Sequence, residues 1–142
     1  MSARSKARKA ALDLLFEADI RGTNAVETLT SRDVIEDGPD ARPIRDYTRE
    51  LVVGVGDNLR KIDELISTYA QGWDMDRLPA VDRNILRIGI FEILWSQNIP
   101  DGVAIDESLT LAKELSTDGS AAFIHGVLGR ISSIKDSLAI DY

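Results

Sequence analysis

With 142 residues, 44% hydrophobic content and a formal charge of −7, the chain has material for one domain with an ordinary core and no room for a second, catalytic domain. It contains no cysteine, which excludes disulfides, thiolate metal sites and thiol nucleophiles. No apolar run approaches the roughly 18 residues of a membrane span, and the basic start is not followed by a signal-peptide core, so a soluble cytoplasmic protein is expected.

The periodicity is helical almost throughout and no alternating stretch is long enough for a strand, which predicts an all-α bundle. The first helix is expected from Ala3 to Ile20, with a stop at Gly22. Arg4, Lys6, Arg8 and Lys9 precede any acidic residue, and Ala7, Ala10, Ala11, Leu14, Leu15 and Ala18 continue at three- and four-residue spacing, so the cations ride on an amphipathic helix. Cations there oppose the helix dipole at a cost of roughly 0.3–1 kcal/mol each. A localised basic surface on an acidic chain suits a polyanion, nucleic acid or an anionic membrane; a merely solvated terminus is the plain alternative.

Thr23 or Asn24 can cap a short second helix carrying Val26, Leu29, Val34 and Ile35, ended by the acidic turn Glu36-Asp37-Gly38-Pro39-Asp40. From Pro43, one long helix is predicted with Ile44, Tyr47, Leu51, Val55, Leu59, Ile62, Ile66 and Tyr69 on one side, and Gly54 and Gly56 inviting close approach or a bend. Gly72-Trp73-Asp74 breaks the chain, and Pro79 suits the first turn of a helix to about Gln97. Two apolar rows on that helix, through Val81, Ile85, Ile88, Phe91 and Trp95 and through Leu86, Ile90, Ile93 and Leu94, make it the central one. Its charges, Asp82, Arg83, Arg87 and Glu92, must be exposed or paired, because one buried alone would cost several kcal/mol. A further helix follows Pro100-Asp101-Gly102, and Ser120 is expected to cap a last helix with Ile124, Val127 or Leu128, Ile131, Ile134 and Leu138 inward.

Catalytic and cofactor chemistry finds little support in the residues. His125 is the only histidine, which argues against a histidine-based triad or metal cluster. Gly54-Val55-Gly56 lacks the further glycine and preceding strand of a dinucleotide site, and Asp106 and Glu107, about 100° apart on a helix, read as a solvated face. No cofactor and no metal are expected.

The segments RLPAVDRNILRIGIFEIL, IPDGVAIDESLTLAKELS and SAAFIHGVLGRI, in that order, together with the basic start ARSKARKAALDLLFEADIRG, resemble the NusB transcription antitermination family over essentially the whole chain. The resemblance implies a compact, single-domain bundle of about seven helices. It also implies binding of single-stranded boxA leader RNA together with the ribosomal protein NusE, and action on the RNA polymerase elongation complex with other Nus factors. Arg4, Lys6 and Arg8 match basic positions of the family's RNA-binding helix; Lys9 is added from its charge and proximity. Phe123 and His125 fall in the segment that lies near the RNA in the family, which suits single-stranded RNA, held by cations along its phosphates and flat rings under its bases. Phe123 is otherwise an ordinary core aromatic, and His125 replaces the family's usual asparagine. Asp76 and Asp82 match acidic positions that face NusE, although acidic residues there also favour a helix start; Phe16 matches an aromatic position that joins this interface or fills the core.

Two other classes stand beside this reading. Certain ribosomal RNA cytosine methyltransferases begin with a similar helical domain, but this chain ends at Tyr142 and has no cysteine for the covalent step. A helical protein-interaction adaptor, or a homodimer that occludes the basic helix, is separated from the RNA reading by whether dimerisation and RNA binding compete.

Overall fold

The computed structural model describes residues 2–35, 43–70, 72–96 and 98–138, and the acidic turn over 36–40 and the expected helix end at Gln97 lie outside these. Seven α-helices, and no strand, occur among the described residues. The chain contacts divide into two compact units, Met1–Asp57 and Asn58–Tyr142.

The first unit holds α1 (Ala3–Arg21), α2 (Ala25–Ile35) and α3 (Asp46–Asp57), each packed on the other two. Both ends of α1 follow from local chemistry: the Ser2 side chain accepts the Ser5 N–H at 3.0 Å, and Gly22, at φ 67, turns left-handed so that its N–H reaches the carbonyls of Ala18 and Asp19. Asn24 opens α2 by accepting the Val26 N–H through Oδ1 at 2.8 Å. Ala7, Ala11, Leu12, Leu14, Leu15 and Ala18 are buried on α1, with Leu29 from α2 and Leu51, Val52 and Val55 from α3. Val26 packs so closely that a Cβ on Gly56 would lie 3.1 Å from its Cγ2.

The long helix expected from Pro43 to Tyr69 is two helices. α3 ends at Asp57, Asn58 leaves the helical region at φ −116 and ψ 14, and α4 begins at Leu59. Gly54, Gly56, Asp57 and Asn58 crowd weak helix formers into one turn, each glycine costing about 1 kcal/mol relative to alanine, so a continuous apolar row does not carry the helix through.

In the second unit α4 (Leu59–Tyr69), a 3-10 turn (Met75–Arg77), α5 (Ala80–Trp95), α6 (Asp101–Leu115), α7 (Asp118–Ile134) and a 3-10 turn (Lys135–Ser137) follow in order. α5 is central, packed against α4, α6 and α7, and every residue from Asn84 to Leu94 is buried. The two apolar rows thus meet neighbours around the whole helix. Gly89 sits at the tightest point, where a Cβ would come within 2.8 Å of both Leu128 Cδ1 and Ser108 Oγ. Arg87 is buried and paired: Nε donates to Asp63 Oδ1 at 2.8 Å, one terminal nitrogen to Asp63 Oδ2 at 2.9 Å, and the other to Asn84 Oδ1 at 3.0 Å. This fork joins α4 to α5 and meets the desolvation cost of the guanidinium.

Thr117, rather than Ser120, caps α7: its Oγ1 accepts the Ser120 N–H at 3.0 Å. The correction is one turn, since both hydroxyl residues satisfy the sequence pattern and only backbone geometry separates them. No helix among the described residues is long and apolar enough to cross a membrane.

Candidate nucleic-acid interface

The basic residues of α1 divide between two faces of the helix. Arg4 and Arg8, four residues apart, both reach the Tyr47 ring of α3, with guanidinium carbons 5.3 and 5.6 Å from its centroid. The neighbouring Thr48 hydroxyl donates to the Ala7 carbonyl at 3.0 Å, so the start of α3 fixes the first turns of α1 at two successive residues. Arg4 remains exposed, whereas Arg8 is only 2% exposed. Arg8 is therefore a packed cation and not the surface contact expected from its charge; its helical phase, shared with Ala11 and Leu15, turns it into the unit. Lys6 and Lys9 lie roughly 100° or more round the helix from that side. Lys6 is exposed and Lys9 half-buried.

Phe16 and Ile20 continue the Lys6 side toward the C-terminal end of α1, at 36% and 63% exposure. Phe16 therefore does not fill the core, and the helix presents a cationic half followed by an apolar half.

In the second unit Phe123 is half-buried on α7 and meets Trp73, their ring centroids 6.2 Å apart and the rings tilted by 58°. Thr68, Tyr69, Ala122, Phe123, Gly126, Val127 and Arg130 line an open cleft of about 500 Å³ between α4 and α7. His125 is exposed, but at two residues from Phe123 it points about 200° away round α7, so the structure does not bring these two residues together.

The two acidic residues expected to face a partner also separate. Asp76 is exposed on the 3-10 turn. Asp82 is 3% exposed, and its Oδ2 accepts the Ser120 hydroxyl at 2.7 Å. Ser120 in turn receives hydrogen bonds from Ser116 and Thr117, both at 3.0 Å, so Asp82 anchors a hydroxyl cluster at the start of α7. It is a packing residue here and not a surface carboxylate: of the first four residues of α5 Asp82 alone is buried, against the hydroxyl cluster that opens α7.

Tyr47 and Trp73 were not among the residues expected at the site. Tyr47 looked like one member of an apolar row, whereas Trp73, an indole in a helix break and outside every row, carried a signal of its own.

The NusB family model matches residues 5–133. The chain belongs to the NusB family. The transcription antitermination protein NusB of Saccharopolyspora erythraea is 52% identical over 97% of this chain and 92% of its own, and that of a Nocardioides species 50% identical over 98% and 100%. Among solved structures, T. maritima NusB is 34% identical with a TM-score of 0.79, covering 94% of this chain and 92% of that one. A complex of the antitermination factors NusB and NusE with double-stranded RNA contains a chain 27% identical, with a TM-score of 0.74, covering 92% of this chain and 96% of that one. The all-α architecture expected from the NusB-like segments, with seven helices among the described residues, is similar to that of T. maritima NusB.

Proposed function

We propose that this chain is a non-enzymatic transcription antitermination factor that binds boxA-type leader RNA together with NusE and acts in the cytoplasm on the RNA polymerase elongation complex. The observation that carries the reading is near full-length membership of the NusB family by a chain whose first helix exposes Arg4 and Lys6 on an otherwise acidic protein. In this mechanism Lys6 and Lys9 on one side of α1 and Arg4 on the other meet phosphates, Phe123 offers a ring to a base, and Phe16 and Asp76, each within its own unit, contact NusE. Charge complementarity between an acidic surface and a basic ribosomal protein favours encounter and register. Cooperative binding follows where NusE, seated on the chain, also contacts the RNA, since few cations are offered to RNA by this chain alone.

The test is fluorescence anisotropy of a labelled boxA RNA, in single-stranded and in double-stranded form, titrated with the protein in the presence and absence of NusE, against a scrambled RNA. Selective binding that tightens with NusE is expected. Equal or absent binding to both sequences with NusE present would overturn RNA recognition and leave a helical adaptor. Sedimentation in the same buffers shows whether a homodimer forms and whether RNA dissolves it.

A further inference from the structure

Two guanidiniums share one ring in the first unit. Tyr47, the second residue of α3, has the Arg4 and Arg8 carbons 5.3 and 5.6 Å from its ring centroid. The two arginines are unequal. Arg8 is fixed by burial, whereas Arg4, one turn nearer the start of α1, faces solvent. The ring on which Arg4 rests is held in turn, since the next residue, Thr48, is buried and donates its hydroxyl to the Ala7 carbonyl at 3.0 Å. Ala7 lies between the two arginines, so α3 is pinned to α1 at the turn that carries them. Lys6, exposed on another side of α1, meets no ring among the described residues.

An exposed arginine samples many rotamers, and holding a phosphate costs it that freedom. A guanidinium already seated on a ring has given up part of the freedom in the free protein, and with its face on the ring its edge donors stay available to an anion. We propose that Tyr47 is a positioning residue for RNA, whose ring holds the Arg4 guanidinium in place before a phosphate meets it. This rests on the RNA-binding reading above and adds Tyr47 to it, acting through Arg4 and not by stacking on a base. Seat and charge are then separable: removing the ring loses affinity but no charge, whereas removing the guanidinium loses both.

The experiment titrates boxA RNA with the full chain over a series of salt concentrations. Tyr47→Leu should weaken binding roughly three- to tenfold with the log–log salt slope unchanged, and Tyr47→Phe, which keeps the ring, should stay within about twofold of wild type. Arg4→Gln should flatten the slope by about 0.7, and adding Tyr47→Leu to it should cost nothing more. In the free protein, the Arg4 Nε–H proton should show a ring-current shift in NMR that Tyr47→Leu removes. Circular dichroism checks folding; if Tyr47→Leu does not fold, the exposed Arg4→Lys variant decides, with weaker binding at an unchanged slope expected and wild-type affinity overturning the proposal. A Tyr47→Leu effect of equal size with and without Arg4 overturns it in favour of a ring that stacks on RNA or only supports the fold. So does the absence of a ring-current shift in the wild type. An RNA-binding wild type indifferent to these variants overturns the positioning role alone, and a wild type that binds no RNA overturns both that role and the function.

Discussion

Arg8 shows how a single side chain changes its meaning between sequence and structure. Among four cations in six residues it looks interchangeable with Lys6, yet it is buried and stacked on Tyr47 while Lys6 is exposed. Arg8→Ala should therefore lower stability by about 1–3 kcal/mol, through lost packing and cation–π contact, whereas Lys6→Ala should stay within about 0.5 kcal/mol. Urea midpoints at constant slope are the measurement, and equal midpoints would return Arg8 to the surface. The same contrast separates Asp76 from Asp82. Asp82→Lys should cost roughly 3–5 kcal/mol, because it removes the acceptor of the Ser120 hydroxyl and buries an unpaired ammonium at the start of α5. Asp76→Lys, on an exposed turn, should leave the unfolding midpoint unchanged and weaken NusE binding in titration calorimetry. Unchanged NusE affinity in a folded Asp76→Lys variant would remove that residue from the partner surface.

At the scale of the element, α5 is governed by approach distance more than by helix propensity. Gly89→Ala would gain about 1 kcal/mol of propensity in an isolated helix. In the protein the added Cβ meets Leu128 of α7 and Ser108 of α6 at 2.8 Å, so a net loss of about 1–3 kcal/mol is expected, read as a lower thermal midpoint. A midpoint equal to or above wild type would show that α6 and α7 yield at no cost. Periodicity found α5 and its inward rows but could not find this contact, since a glycine in a helical pattern reports neither its face nor its neighbour. The same blindness made one helix of α3 and α4: apolar spacing continues past Asn58, and only the summed weakness of Gly54, Gly56, Asp57 and Asn58 stops the backbone.

For the whole molecule, charge and cooperativity make the tests. The exposed Arg4 and Lys6 and the half-buried Lys9 offer at most three phosphate contacts, which sets the log–log salt slope for single-stranded RNA at roughly −2. A much steeper slope would require another basic surface. The contacts define two units where composition predicts one domain, and we propose that they nevertheless unfold together. The first unit, at 57 residues, has the size at which a lone core is marginal. Calorimetry should give a single transition with equal calorimetric and van't Hoff enthalpies, and two resolved transitions would make the units independent domains.

The sequence by itself determined the helical class, the ends of α1, the central place of α5 and the membership of the family, because each rests on local periodicity, a cap or a linear motif. Tertiary structure decided which charges are used. Arg4 and Arg8 share a ring, Arg87 finds Asp63 24 residues earlier, and Asp82 finds Ser120 38 residues later. The physical reason is that a charge near other charges in sequence says nothing of its desolvation, which depends on atoms brought from distant helices.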